Sequence, residues 1–240
     1  MKKALSIILL LLLLFAGCAK NKTSISTEQK LSKADDFFAR KKYHRAVQLY
    51  EDIAFERKSA QTAHALMRQA DCYFAMNKFV DAKLKYQQFI QMFPDHLEVN
   101  KAYYQMGVAL YESSLPAAYD QSESLEAIDT FKLFIEKFPN DSRYSTAVEY
   151  IRKAQYKQLE KKLNNGYIYY KMKDYSAALM YFKEITELGN EDHLDRKALY
   201  YSALVHIHQN NPQEARLVYD QLKQKYPGAK ETSKIARKLK

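Results

Sequence analysis

Apolar residues recur along this chain with the rhythm of helices, and five stretches repeat that rhythm in one register. Each opens on an alanine: Ala46, Ala82, Ala127, Ala178 and Ala215. Four residues on stands an aromatic (Tyr50, Tyr86, Phe131, Phe182, Tyr219), and seven on a large apolar residue (Ile53, Phe89, Phe134, Ile185, Leu222). Twelve after three of the alanines comes proline: Pro94, Pro139 and Pro227. Twelve before four of them stands a small residue, Ala34, Ala70, Gly166 or Ala203; in the third stretch Gly107 takes that part after an eight-residue insertion.

Close packing of two antiparallel helices explains the pattern. Where the first helix of a pair (helix A) crosses the second (helix B), the small residue and the alanine let the backbones approach. The aromatic and apolar residues then fill the space to the next pair. Proline stops helix B. Recurrence about every 34 residues is the tetratricopeptide arrangement, in which a lone pair cannot bury its apolar face and at least three must stack. The expected fold is all-α, a right-handed superhelix of five tetratricopeptide helix pairs behind an N-terminal export signal.

The pairs fall at about residues 28–58, 63–94, 99–139, 145–190 and 196–227, followed by a basic cap at 229–240. In the first, Tyr43 marks the tight turn before Ala46. The third is interrupted at 113–121, and helix B restarts near Ser122, whose hydroxyl is expected to cap the free amides while Glu123 favours the positive helix end. From about Ser145 to Lys173 only Gly166 breaks the periodicity, which predicts one long helix A on the order of 42 Å. Asp174 caps the helix that follows. Asn211-Pro212-Gln213-Glu214 sets out an N-cap, a first-turn proline and an acidic partner in order.

Lys2 and Lys3 precede an apolar run, Ala4 to Ala16, with the layout of a secretory signal and less than the roughly 20 residues a membrane-spanning helix needs. The run ends in Phe15-Ala16-Gly17-Cys18, which resembles a bacterial lipobox. Residues 1–17 would then be a removable lipoprotein signal peptide and Cys18 the attachment point of a diacylglyceryl group and an N-acyl chain. The competing reading is a plain signal followed by an incidental cysteine. Several acyl chains make a stable anchor where one binds only marginally. Residues 18–27 read as a lipidated polar tether reaching roughly 30 Å, which places the folded body at the membrane surface. Ala19 is compatible with outer-membrane sorting, with the body facing the periplasm.

Composition adds little chemistry. Five glycines and five prolines are too few for a strand-and-turn protein. Cys72 is the only other cysteine and reads as a buried, inert thiol, so the fold relies on packing without disulfide or metal. No glycine-rich phosphate loop, Gly-x-Ser-x-Gly elbow or His-Glu-x-x-His helix occurs, so a non-enzymatic protein is expected. His206 and His208, two apart on a helix, point to different faces and disfavour a shared metal. No cofactor is implied beyond the acyl groups on Cys18. The formal net charge is +10, and Lys223 to Lys240 holds seven Lys or Arg against the single Glu231. Such a tail either keeps the terminal repeat soluble or attracts anionic head groups or an acidic partner. Nucleic acid is excluded by the export signal.

A stacked array of helix pairs offers a concave surface lined by helix A. The residue four after the small position falls there: Phe38, Phe74, Tyr111, Tyr170 and Ile207. One turn before the small position come Leu31, Met67, Tyr104, Leu163 and Tyr200, with Asp35, Asp71, Lys101 and Lys197 nearby to select polarity. Phe38, Met67, Phe74, Tyr104 and Tyr111 are the candidate peptide-binding residues, because aromatic and methionine side chains can hold extended peptide. Packing against the neighbouring repeat is the competing reading for each.

The run Tyr103-Tyr104-Gln105-Met106-Gly107-Val108-Ala109-Leu110-Tyr111, the Tyr119-Asp120-Gln121-Ser122 loop, Ala127-Ile128-Asp129-Thr130-Phe131 and Phe134-Ile135-Glu136-Lys137-Phe138-Pro139-Asn140-Asp141-Ser142 together carry a resemblance. They are similar to the BamD family of outer-membrane assembly lipoproteins. Asn165-Gly166-Tyr167-Ile168-Tyr169-Tyr170 and Tyr175-Ser176-Ala177-Ala178 resemble its members outside the enteric bacteria. The resemblance implies a non-enzymatic subunit of the machinery that inserts β-barrel proteins into the outer membrane. Its partners would be the periplasmic modules of the barrel subunit BamA, met by the later repeats, and unfolded barrel proteins, met by the early ones. A general periplasmic repeat lipoprotein scaffolding cell-wall or envelope-division factors is the alternative; it would lack the Asp-Gln-Ser insertion.

Overall fold

The computed structural model describes residues 25–240, so the signal segment and Cys18 lie outside the described residues. Helices follow one another throughout. The first pair is α1 (Thr27–Ala39) and α2 (Tyr43–Ala54), the second α3 (Ala60–Ala75) and α4 (Phe79–Met92), the third α5 (Val99–Ser113) and α6 (Ser122–Lys137). The long α7 (Tyr144–Met172) and α8 (Tyr175–Thr186) form the fourth, α9 (His193–His208) and α10 (Pro212–Lys225) the fifth, and α11 (Lys230–Lys238) closes the stack. Each helix packs on the next in sequence, and α1 on α3, α5 on α7, α7 on α9 and α9 on α11 join successive pairs.

Local chemistry sets the helix ends. Ser26 and Gln29 form a reciprocal capping box on α1. Ser59, Asp174, Asp192 and Asn211 accept backbone N–H groups at the starts of α3, α8, α9 and α10, and Pro212 occupies the first turn of α10 as its sequence predicts. Phe93, Phe138 and Tyr226, each the residue before a proline, leave the helical region with nearly one geometry, φ −133°, −131° and −133°.

The turn from helix A to helix B repeats as well. Lys41, Asn77, Lys173 and Asn210 are left-handed, with φ between 54° and 63°, and each stands five residues before the marker alanine of its pair. The next residue's N–H reaches back to the helix: Lys42 to Phe37, Lys78 to Tyr73, Asp174 to Tyr169 and Asn211 to His206, at 2.8 to 3.0 Å. This is a Schellman ending, used in every pair except the interrupted third. Tyr43 accordingly opens α2 instead of sitting in the turn, which Lys41 makes.

The marker alanines are all fully buried, as are Tyr50, Tyr86, Phe131 and Phe182 four residues on. Tyr219 is only half-buried, because a single short helix covers the last pair. The small residue of helix A faces the aromatic of helix B. A Cβ on Gly107 would meet the Phe131 ring at 2.8 Å, and one on Gly166 the Phe182 ring at 2.6 Å. Where the small residue is alanine followed by aspartate, the aromatic is tyrosine: Tyr50 donates to Asp35 at 2.6 Å and Tyr86 to Asp71 at 2.8 Å.

Helix α7 runs unbroken for 29 residues. Its first half buries Ala147, Ile151 and Ala154 against α5 and α6, as the next helix A would. Its second half buries Leu163 against α8 and α9. One helix thus closes the first three pairs and opens the fourth, and the chain between Ala154 and Leu163 is a neck joining two packed bodies.

Candidate peptide groove and neck

Four of the five candidate groove residues lie half-buried along the helix A row, and each touches a second ring. Phe38 meets Tyr43 edge-on at 5.6 Å, Phe74 meets Phe79 at 5.3 Å, Tyr104 meets Phe134 at 5.6 Å and Tyr111 meets Tyr150 at 5.2 Å. Met67 is a correction: it is 1% exposed, in the core with Leu66, Tyr86 and Phe89, and presents no surface to a peptide. It lies two turns before Phe74 on nearly the same face, where Tyr86 and Phe89 of α4 cover it.

Cations lie over three of these rings, and the linear sequence gave no sign of it. Arg68 stands 5.0 Å above Phe38, Arg143 5.4 Å from Tyr104 and Lys157 5.0 Å from Tyr111. Each comes from further along the chain, Arg68 on α3, Arg143 capping α7 and Lys157 on its neck. A cation over a ring is held by the ring's negative face and places positive charge beside apolar surface. Arg143 is itself fixed: its guanidinium donates to both oxygens of Asp141 at 2.7 and 2.6 Å, and Asn100 adds a bond at 2.7 Å. Those bonds, Arg143's first, hold the Asp141 carboxyl down to about 2.

Three of the four charges expected to select polarity, Asp35, Asp71 and Lys101, are engaged with neighbouring side chains instead. Asp71 accepts from Tyr86, from Lys101 at 2.9 Å and from Arg68 at 3.3 Å. Asp35 accepts from Tyr50, and His64 stands 3.0 Å from the same oxygen. Lys197 is exposed. Burial and their aspartate partners push the phenols of Tyr50 and Tyr86 far above the usual tyrosine range, so both remain neutral donors. Cys72 is buried, and burial pushes its thiol up to about 12, the inert state its position predicts.

The inserted loop is organised by Gln121, which is 2% exposed. Its carboxamide donates to the carbonyls of Pro116 at 2.9 Å and Asp120 at 3.0 Å and accepts from Ser124 at 3.0 Å. Ser122 is therefore not the cap of α6: the Asp120 carboxylate takes the Ser122 N–H at 2.9 Å. The neck clasps this loop, with Lys157 donating to the Ser114 hydroxyl at 2.7 Å and Lys161 to the Tyr119 carbonyl at 3.0 Å. On its other side Tyr156 and His193 share a hydrogen bond of 2.9 Å. Tyr111, Arg152, Lys153, Tyr156, Lys157 and Glu160 line an open cleft of about 390 Å³ beside the neck. Arg152 and Tyr156 also border a larger cleft, about 910 Å³, between α6, α7 and residues 188–192.

Beyond the neck the surface changes character. Tyr201 gathers Tyr167, Tyr170 and Tyr200 within 5.5 Å. His208 stacks on Tyr175 and bonds the Tyr170 hydroxyl at 3.1 Å, a packing role. His206 is half-buried, and burial lowers its pKa. Among the described residues no cluster of His, Cys, Asp and Glu could hold a metal, and no helix is long and apolar enough to cross a membrane.

Residues 24–202 match the family YfiO, outer membrane lipoprotein, and residues 197–229 match a tetratricopeptide repeat. The chain belongs to this outer membrane lipoprotein family. It is 24% identical over 233 residues to the outer membrane protein assembly factor BamD of Rickettsia prowazekii (strain Madrid E), a match over 95% of this chain and 93% of the relative. The resemblance to BamD thus extends from the inserted loop and its flanking helices to almost the whole chain. Among solved structures it resembles the TPR domain of P58(IPK), with 12% identity over 89% of this chain and 55% of that one, TM-score 0.46. It also resembles the TPR2AB domain of yeast Sti1 in complex with pHSP90, with 12% identity over 89% and 82% of the two chains, TM-score 0.46.

Proposed function

We propose that this lipoprotein is a non-enzymatic subunit of the β-barrel assembly machinery, held in the outer membrane through acylated Cys18 with its folded body in the periplasm. It scaffolds BamA through the later pairs and receives unfolded outer-membrane proteins on the early ones. The family match and the near full-length likeness to an assembly factor carry the reading. The groove chemistry supports it. Unfolded barrel proteins present alternating aromatic strands with unpaired backbone edges, and half-buried rings with Arg68, Arg143 and Lys157 over them suit such segments.

Affinity purification of the lipidated protein from membranes is the test. Co-purification of BamA, together with loss of newly assembled barrel proteins on depletion, is the expected result. Cell-wall or division factors in place of BamA would overturn the assignment.

A further inference from the structure

The end of the superhelix displays charge that the structure leaves uncompensated. Several cations elsewhere meet acids: Arg40 pairs with Asp36 at 2.9 Å, Lys83 with Glu126 at 2.8 Å and Lys183 with Glu187 at 3.5 Å. On α11, Lys230, Lys234, Arg237 and Lys238 share one face, all exposed, and Lys223 and Lys240 are exposed nearby in sequence. The single acid of this segment, Glu231, is 7% exposed and turned inward to Arg196 at 3.4 Å. Lys225 is likewise engaged, with buried Asp195 at 3.3 Å. The inner face fixes the helix: Ile235 is fully buried, and the Thr232 hydroxyl donates to the Tyr226 carbonyl at 2.7 Å.

A helix that only caps the last pair needs a polar outer face, and mixed signs serve that purpose without self-repulsion. This face carries one sign only. It also lacks what a protein interface uses, since no aromatic or large apolar residue stands among Lys230, Ser233, Lys234, Arg237 and Lys238. Lipid head groups need only charge, and attraction to an anionic leaflet accumulates with each Lys or Arg brought near it. We infer that the basic face of α11 is a second membrane contact, docking on anionic lipid head groups so that the superhelix lies along the membrane instead of hanging from its N-terminal tether. The inference rests on membership of the outer membrane lipoprotein family and is independent of the peptide groove.

The full lipidated protein, labelled at Ser233→Cys while Cys72 stays buried, is reconstituted on vesicles carrying an acceptor-labelled head group. Energy transfer is expected to be higher on phosphatidylcholine vesicles containing phosphatidylglycerol than on phosphatidylcholine alone. Raised salt should lower it to the neutral-lipid level. Combined K230Q, K234Q, R237Q and K238Q should do the same, whereas exchanging Lys for Arg and Arg for Lys at these four positions should preserve it, with thermal melts unchanged. Retention on both vesicle types reports the acyl anchor separately. Equal transfer on the two lipids, or transfer indifferent to the four substitutions, overturns the inference. Loss of a co-purifying acidic protein with lipid transfer unchanged would assign the face to that protein instead.

Discussion

The ring of Phe131 occupies the space that a side chain on Gly107 would need, 2.8 Å from the position of the missing Cβ. Phe131 cannot readily give way, for it is fully buried and stacked on Tyr150 at 5.1 Å. The helix crossing of the third pair therefore depends on this glycine, even though glycine weakens a helix interior by roughly 0.5–1 kcal/mol against alanine.

Gly107→Ala should accordingly destabilise the protein despite its better helix propensity. Overpacking of a filled core costs about 1–3 kcal/mol, and Ala82→Leu at the fully buried crossing of the second pair should fall in the same range. Thermal melts measure both. An unchanged midpoint for Gly107→Ala would mean that the Phe131 ring moves aside.

Lys41 and Lys173 hold left-handed backbone, with φ of 57° and 63°, at the turn where the second and fifth pairs use asparagine. A lysine there bears the Cβ–carbonyl crowding that asparagine and glycine tolerate. Lys173→Asn or Lys173→Gly should raise the thermal midpoint, with a gain on the order of 0.5–1 kcal/mol. A fall would show that the lysine side chain supplies a contact outweighing the strain.

Much of the fold was legible because helix packing is periodic. The marker alanines, the aromatics and the prolines recur at fixed spacing; the alanines and the apolar residues three beyond the aromatics are buried in all five pairs, and the aromatics in all but the last. Met67 was misplaced because spacing shows which residues share a helix face but not how far along it the neighbouring helix covers them. Lys41 and Lys173 give no signal for left-handed backbone, whereas Asn77 and Asn210, at the same place in their pairs, do carry one. Gln121 reads as a polar loop residue, yet it is buried because the insertion folds its carbonyls around the carboxamide. The cations over Phe38, Tyr104 and Tyr111 lie 30 or more residues away in sequence, where periodicity says nothing of partners.

Asp141 links stability to pH. Its folded pKa, about 2, lies below the usual aspartate value near 4, so its bonds from Arg143 and Asn100 favour the folded state above pH about 4. That contribution, up to about 2 kcal/mol, is lost as pH falls from about 4 to 2. Asp141→Asn should be less stable than the native protein at neutral pH, and the difference should shrink across that acid window. Parallel stability curves from pH 6 to 2 would show that the pair adds nothing.

The groove itself is best tested where binding and folding separate. Phe74 packs against two core clusters, so its truncation would lower stability along with any affinity. Tyr111 borders the open cleft at the neck, under the Lys157 ammonium, and packs against one core cluster only, where its ring meets Tyr150 at 5.2 Å. Tyr111→Ala should weaken binding of a peptide with an aromatic barrel-type C-terminus by about tenfold or more, the effect of losing an interface aromatic worth above about 1.4 kcal/mol. BamA capture should persist, because the partner is assigned to the later pairs. Phe38→Ala, with Arg68 left above an empty position, should act in the same direction. Titration of labelled peptide against each variant, beside its melting curve, decides the matter. Unchanged peptide affinity in both variants would return these rings to packing, whereas loss of peptide and BamA together would mean that the two halves do not bind separately across the neck.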